Sequence, residues 1–338
     1  MADRRNPFWI WFERLGPLVM LLALVAGFAI ADYDTFASIR NFKAILVQTA
    51  ILATCALGMT MIMVSGGLDL SVGSILALSS VSGAATYAAA GSPVLACTMC
   101  VLAGFLAGCV NGLFIAGFRM NPFIVTLGMM GIARGFAREF SGDSRLYLHY
   151  KASEDADKIV WQPKFLELFP SEEPWASLGL PGGVFLTILL IIIMIAVMRF
   201  TVFGRHIYAI GSNEESARLC GIHVGWKKFA IYALAGLIFG IAGVMQMSYV
   251  NAGDPTAQTG FELNVIAAVV IGGASLSGGV GTIMGSVIGA LIMVVLTNGC
   301  AMTGVPAARQ LIIIGAIIIA SAMLDMFRQG KLKLPWVR

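Results

Sequence analysis

Charge is scarce in this 338-residue chain: 12% of residues are Asp, Glu, Lys or Arg, about half the share of a soluble chain. Hydrophobic residues make up 58% and the mean hydropathy is +0.87. So few charges cannot clothe so much apolar surface in water, which excludes a soluble enzyme, a nucleic-acid binder and a disordered scaffold. Histidine is rarer still, with only His149, His206 and His223, so no metal-ligand cluster is legible. The six cysteines lie mostly in apolar runs and form no framework of paired spacings. Cys97 and Cys100 make a CxxC, but within an apolar run and without a nearby His, so they read as packing residues rather than a zinc or redox pair. No Gly-x4-Gly-Lys-Ser/Thr occurs, so the chain has no P-loop phosphate cradle of its own.

What is abundant is long, uninterrupted apolar sequence, too continuous for alternating barrel strands. Runs at about 15–31, 44–65, 71–90, 93–118, 122–140, 183–199, 229–249, 263–277, 281–299 and 308–326 have the length of bilayer-crossing helices. The expected fold is therefore an all-α polytopic membrane protein of about ten transmembrane helices, a single transmembrane domain over 1–338. Arg4, Arg5 and Arg14 followed by Leu15–Ala31 resemble a signal peptide. Because everything downstream is also membrane, an uncleaved first span is the reading taken. Ten spans from a cytoplasmic N-terminus place both termini in the cytoplasm. The inside segments then hold 13 Lys/Arg against 6 Asp/Glu, and the outside segments 9 against 12. The 141–182 loop falls outside, and the basic 200–228 loop falls inside.

Ion-coupled carriers keep ionisable groups at membrane depth. Here the spans hold almost none: Asp69 sits in a Gly-rich junction, Arg134 and Arg138 near the outer end of one span, and Glu262 at the start of another. Glycine is plentiful, 39 residues, and small residues let helices approach closely. Gly66–Gly73 and Gly272–Gly279 agree at five of eight positions, each between one span and the next, and Asp69 or Ser71 is placed to cap the following helix. A second echo pairs Asn111, Gly112, Gly117 and Gly128 with Asn298, Gly299, Gly304 and Gly315 at a different offset. The two offsets do not define one clean repeat.

In the 200–228 loop, Asn213 or Ser212 can cap a short helix whose first turn carries Glu214 and Glu215, matching the helix dipole. Ala217, Arg218 and Leu219 continue it and Gly221 stops it. Such a helix either fits a groove on a soluble partner or lies at the lipid interface. The run Gly204–Ile222 resembles the cytoplasmic coupling segment of ribose-type ABC importer permeases. Gly66–Gly73 resembles that family's Gly-Gly-Ile-Asp-Leu-Ser-Val-Gly signature, with Leu68 in place of Ile. Asn121–Gly128 with Gly131, Arg134 and Gly135, and Phe261–Gly273 with Leu276–Gly279, are similar to its other motifs.

The resemblance implies a permease subunit of the bacterial inner membrane that imports a small polar solute, most often a monosaccharide. Related permeases carry autoinducer-2, nucleosides or branched-chain amino acids. It implies a second permease chain, a periplasmic binding protein, and a separate ATPase docked on Asn213, Glu214, Glu215, Ala217, Arg218 and Gly221. It implies no cofactor held by this chain, ATP being used by the partner, and no nucleic-acid contact; lipid is the surrounding partner. The long 141–182 loop departs from the family pattern. Pathway or junction candidates by residue type are Gln48, Thr49, Asp69, Asn111, Asn121, Thr126, Asn264 and Asn298, with Asp69 expected to brace its junction. A stand-alone channel or secondary carrier is the rival from another class.

Overall fold

The computed structural model describes residues 7–148 and 182–328. Most of the 141–182 loop, and the basic C-terminal residues Lys331, Lys333 and Arg338, lie outside the described residues. The helices in chain order are α1 (Pro7–Ala31), α2 (Tyr33–Phe36), α3 (Ile39–Val64), α4 (Val72–Ala90), α5 (Pro93–Gly112), α6 (Pro122–Ser141), α7 (Gly182–Phe200), α8 (Val202–Ser212), α9 (Glu214–Leu219), α10 (Val224–Val250), α11 (Phe261–Ile271), α12 (Ile283–Met302) and α13 (Ala307–Arg328). The described strands are β1 (Leu146–Tyr147) and β2 (Ala252–Gly253), paired antiparallel. This is an all-α polytopic chain. Among the described residues, six helices are long and apolar enough to cross a bilayer: α3, α4, α5 with its continuation to Gly117, α7, α10 and α12.

Local chemistry sets the helix ends. Ser38, Ser92, Thr201 and Thr282 each accept a hydrogen bond from a backbone N–H in the first turn of the following helix, and Pro93 and Pro122 occupy first-turn positions that need no amide. α5 ends by widening into a π turn over Leu113–Gly117. The apolar run 263–277 does not form one span. Its helix stops at Ile271, and residues 272–282 are turns in which Gly273, Gly278, Gly279 and Gly281 take positive φ. A segment this rich in left-handed glycine cannot continue a helix, whatever its hydropathy.

α5 and α10 pack backbone to backbone. Gly104 and Gly108 on α5 face Gly236 and Gly240 on α10, and Gly112 faces Phe229. A Cβ added at Gly104 would stand 2.6 Å from the Gly240 backbone, and one at Gly108 would stand 2.8 Å from Gly236 Cα. The two backbones therefore touch directly, as small residues spaced by four permit. α3 is the buried centre, with nearly every side chain from Ala50 to Val64 enclosed.

The two Gly-rich echoes meet. Gly279 donates its N–H to Val64 O at 2.8 Å, and a Cβ at Gly278 would lie 2.9 Å from Gly66 Cα. They also share a turn: Ser71 N donates to Asp69 Oδ1 (2.7 Å), and Ser277 N donates to Ser275 Oγ (3.1 Å). The second echo shares no such environment. Asn111 Nδ2 donates to Asp69 and Ser71 of the first junction, a contact Asn298 does not make, although both asparagines have a buried Oδ1 without a partner.

Candidate functional site

One end of the bundle gathers the links between α3 and α4, α5 and α6, α7 and α10, and α11 and α12. At its edge α8 and α9 form a bent arm. Asn213 caps α9, its Oδ1 accepting from Ser216 N at 2.8 Å; Ser212 ends α8 and does not cap. At the other end of α9, Ile222 N donates to Ala217 O (3.1 Å) and Gly221 N to Arg218 O (3.0 Å), with Gly221 at φ +83°. That is a complete Schellman stop, and only glycine takes its left-handed position without strain. Ala217 is buried with Ile210 and Val224, which fixes α9 to α8 and α10.

The two acidic residues of α9 differ. Glu214 is held by Arg218 (2.9 Å) and Lys228 (2.5 Å), which ties α9 to α10. Glu215 and Leu219 are exposed, Leu219 to 86%. Glu214 thus acts within the chain, and Glu215 and Leu219 make the outward face. A polar cavity of about 550 Å³ lies beside them, lined in part by Gly66, Arg119, Asn121, Glu214, Arg218 and Lys228. Asn121 at its rim caps α6 (Phe123 N to Oδ1, 2.9 Å). Thr126 is buried and donates to Pro122 O within its own turn.

The arm rests on both Gly-rich junctions. Gly211 lies so close to Val64 O and Gly279 N that a Cβ there would collide with backbone on either side. Tyr208 donates to Gly281 O (2.8 Å), and Tyr232 of α10 donates to Leu68 O (3.2 Å). Neither tyrosine was legible as a site residue, since each sits in ordinary helical sequence.

Asp69 and Asn111, far apart in sequence, come together. Asp69 is 2% exposed; its Oδ1 accepts from Ser71 N (2.7 Å) and Ser71 Oγ (2.5 Å), and its Oδ2 accepts from Asn111 Nδ2 (3.4 Å). Neither Asp69 nor Ser71 caps α4: Ser71 is at the cap position without a side-chain bond, and Asp69 instead bonds its own turn. Burial pushes the Asp69 carboxyl up to about 6, only partly opposed by the hydrogen bonds from Ser71 and Asn111. Asp69 is thus enclosed in the junction and bonded both to its own turn and to α5.

The opposite end is built on strand pairing. Leu146 pairs with Gly253 and Tyr147 with Ala252, and Arg145 reaches Asp254 at 2.6 Å. Burial works to raise the Asp254 carboxyl, but the Thr256 hydroxyl and amide and the Arg145 guanidinium outweigh it and hold the carboxyl below its usual range. From here the chain turns inward without helix. Gly253 lies against Val81 and Ala84 in the middle of α4, whereas Gln258 O and Glu262 lie against Gly73 in its first turn. Arg134 of α6 donates to Pro255 O (2.7 Å) and Ala257 O (2.8 Å), and Gln258 Nε2 donates to Gln246 Oε1 (3.0 Å). In the sequence Arg134 and Glu262 were visible as charges at span ends and as members of two motifs of the resemblance, with no sign that they act at one place. Asn264 is half-buried one turn into α11; Gln48 and Thr49 are on α3 and Asn298 on α12, where Thr49 Oγ1 and Asn298 Oδ1 are buried without a partner. Among the described residues no three His, Cys, Asp or Glu side chains converge as metal ligands, and all six cysteines are free thiols.

With this geometry in hand, the comparisons with known proteins are direct. Residues 41–322 match the family described as branched-chain amino acid transport system / permease component. The chain is 35% identical over 329 residues (97% of it, 98% of the relative) to the ribose import permease protein of Escherichia coli K12. It is 34% identical to the L-arabinose ABC transporter permease protein of Azospirillum brasilense (98% and 92%), and 38% identical to the ribose import permease protein of Bacillus subtilis (93% and 92%). No solved structure matches it.

Proposed function

The chain belongs to the family of branched-chain amino acid transport system permease components, and from that premise we propose that it is the membrane-spanning subunit of an ATP-driven monosaccharide importer. It is a multi-pass protein of the inner membrane. The observation that carries the reading is near-full-length similarity to import permeases named for ribose and arabinose. As a permease it is a transport subunit rather than an enzyme. Its P-loop-free sequence leaves ATP hydrolysis to a separate ATPase.

In this reading Glu215 and Leu219 face the ATPase, and the Glu214–Lys228 pair transmits the load from α9 to α10. Because α8 is seated backbone-to-backbone on both Gly-rich junctions, displacement of the arm moves the inner ends of α3, α4 and α12 as one packed unit. Solute arrives from a periplasmic binding protein, and a second permease chain completes the path. Ten spans with both termini in the cytoplasm are part of this reading, in which α1, α6 and α13 also cross and α11 with the irregular chain around it makes a broken span. The links assigned inside meet at one end, and those carrying β1 and β2 at the other.

The test is purification in mild detergent from the native host, followed by uptake in proteoliposomes. A co-purifying P-loop ATPase and ATP-dependent sugar uptake are the expected results. Uptake by the chain alone, without ATP, would make it a stand-alone carrier.

A further inference from the structure

Resting on the importer reading, we propose that the non-helical segment 254–260 and the first turn of α11 form the solute-contacting wall of the path, built for a neutral polyhydroxylated ring. The contacting groups are Thr256, Gln258, Thr259 and Glu262, and Arg134 is the positioning residue. Between Gly253 and Gln258 the chain descends from the level of Val81 to that of Gly73 on α4, about 12 Å at the helical rise. Irregular backbone at membrane depth persists only where protein buries it or where it lines a watery cavity. Arg134 satisfies two of its carbonyls. The rest of the segment is not covered: Thr256 and Thr259 are exposed, and Gln258 and Glu262 half-exposed. A Cβ added at Gly260, or at Gly128, Gly131 or Gly135 of α6, meets nothing within 4 Å. Lipid cannot front such a surface without leaving its polar groups unsatisfied.

The chemistry left over is that of a sugar site. Thr256 and Thr259 spend their hydroxyl protons on Asp254 Oδ1 and Thr256 O, which leaves acceptor lone pairs. Gln258 keeps its carbonyl and one N–H after bonding Gln246. Glu262 makes no ion pair or hydrogen bond among the described residues, so its carboxylate can accept from adjacent ring hydroxyls. The charges balance: Arg134 and Arg145 stand against Asp254 and Glu262. A wall with no net charge and an excess of acceptors selects a neutral donor-rich solute over an anion or a cation.

The test uses the intact complex in proteoliposomes, with Cys97, Cys109 and Cys220 replaced by alanine. Thr259→Cys is expected to react with a charged, membrane-impermeant methanethiosulfonate applied on both sides. Ile192→Cys on α7, 59% exposed in its apolar middle, is expected to stay unreactive. Thr259→Trp should abolish ribose uptake while ATP hydrolysis continues, and Glu262→Gln should raise the KM for ribose about tenfold through loss of a charged acceptor. Unreactive Thr259→Cys, or full ribose uptake by Thr259→Trp, overturns the proposal. The importer reading is judged separately, on wild-type uptake of ribose and arabinose. The labelling needs no solute and decides the wall whichever way that assay falls.

Discussion

Replacing Gly236 by alanine tests whether backbone contact between α5 and α10 holds the bundle together. The new methyl carbon would stand 2.7 Å from Gly108 Cα and 2.8 Å from Gly108 N. Both are backbone atoms, so no side chain can swing aside. Restoring ordinary carbon contact near 3.5 Å requires the helices to part by roughly 0.8 Å, which weakens dispersion along the whole crossing. Overpacking of this kind costs about 1–3 kcal/mol, and alanine's better helix propensity returns up to about 1 kcal/mol. The net loss is about 1–2 kcal/mol, a fall of about 2–6 °C in the unfolding midpoint. Gly27→Ala on α1 is the matched control, because a Cβ there meets nothing within 4 Å. It should leave the midpoint unchanged or raise it. The assay is thermal unfolding of purified protein in one mild detergent, followed by loss of the monodisperse chromatographic peak. An unchanged midpoint for Gly236→Ala, or an equal fall for Gly27→Ala, would refute the reasoning.

Asp69→Ala removes the acceptor of three buried donors and is expected to cost about 2–4 kcal/mol, seen as loss of stable protein, while Asp69→Asn loses less; well-folded Asp69→Ala with an altered solute range would contradict the bracing role. Because the folded carboxyl lies near 6, above its unfolded value, its contribution is fully present below about pH 4. That contribution is lost as the pH rises through about 6, and a pH series on Asp69→Asn should lack the step. Glu214→Arg with Glu215→Arg should release or uncouple the ATPase while insertion stays intact, as charge reversal opposes the helix dipole. Glu214→Arg also sets like charges against Arg218 and Lys228, so Glu215→Arg alone isolates the docking surface; normal transport by it would remove Glu215 from the coupling role.

The geometry of α9 was legible nearly residue by residue. Its cap, first-turn acids and Gly221 stop are local signals, and local hydrogen bonding decides them. What the sequence concealed was the division of labour between Glu214 and Glu215, since Lys228 is far enough along the chain that only the fold brings it back. Asp69 stood out as a lone acid in a Gly-rich junction, but its partner Asn111 was one asparagine among several until α5 came to lie beside the junction. The irregular 251–260 segment left the weakest trace, because a short polar stretch between two apolar runs reads as an ordinary loop, and only the fold carries it alongside α4.

The sequence by itself determined the solvent, the class of fold and local helix ends such as those of α9, because hydropathy, length and capping depend on residues close together in the chain. Tertiary structure alone decided that the two Gly-rich echoes touch and that α8 rests on both of them. It alone decided that Arg134 supports an irregular strand of backbone inside the bundle. Those contacts join residues far apart in sequence through backbone atoms, which carry no side-chain signature to read in advance.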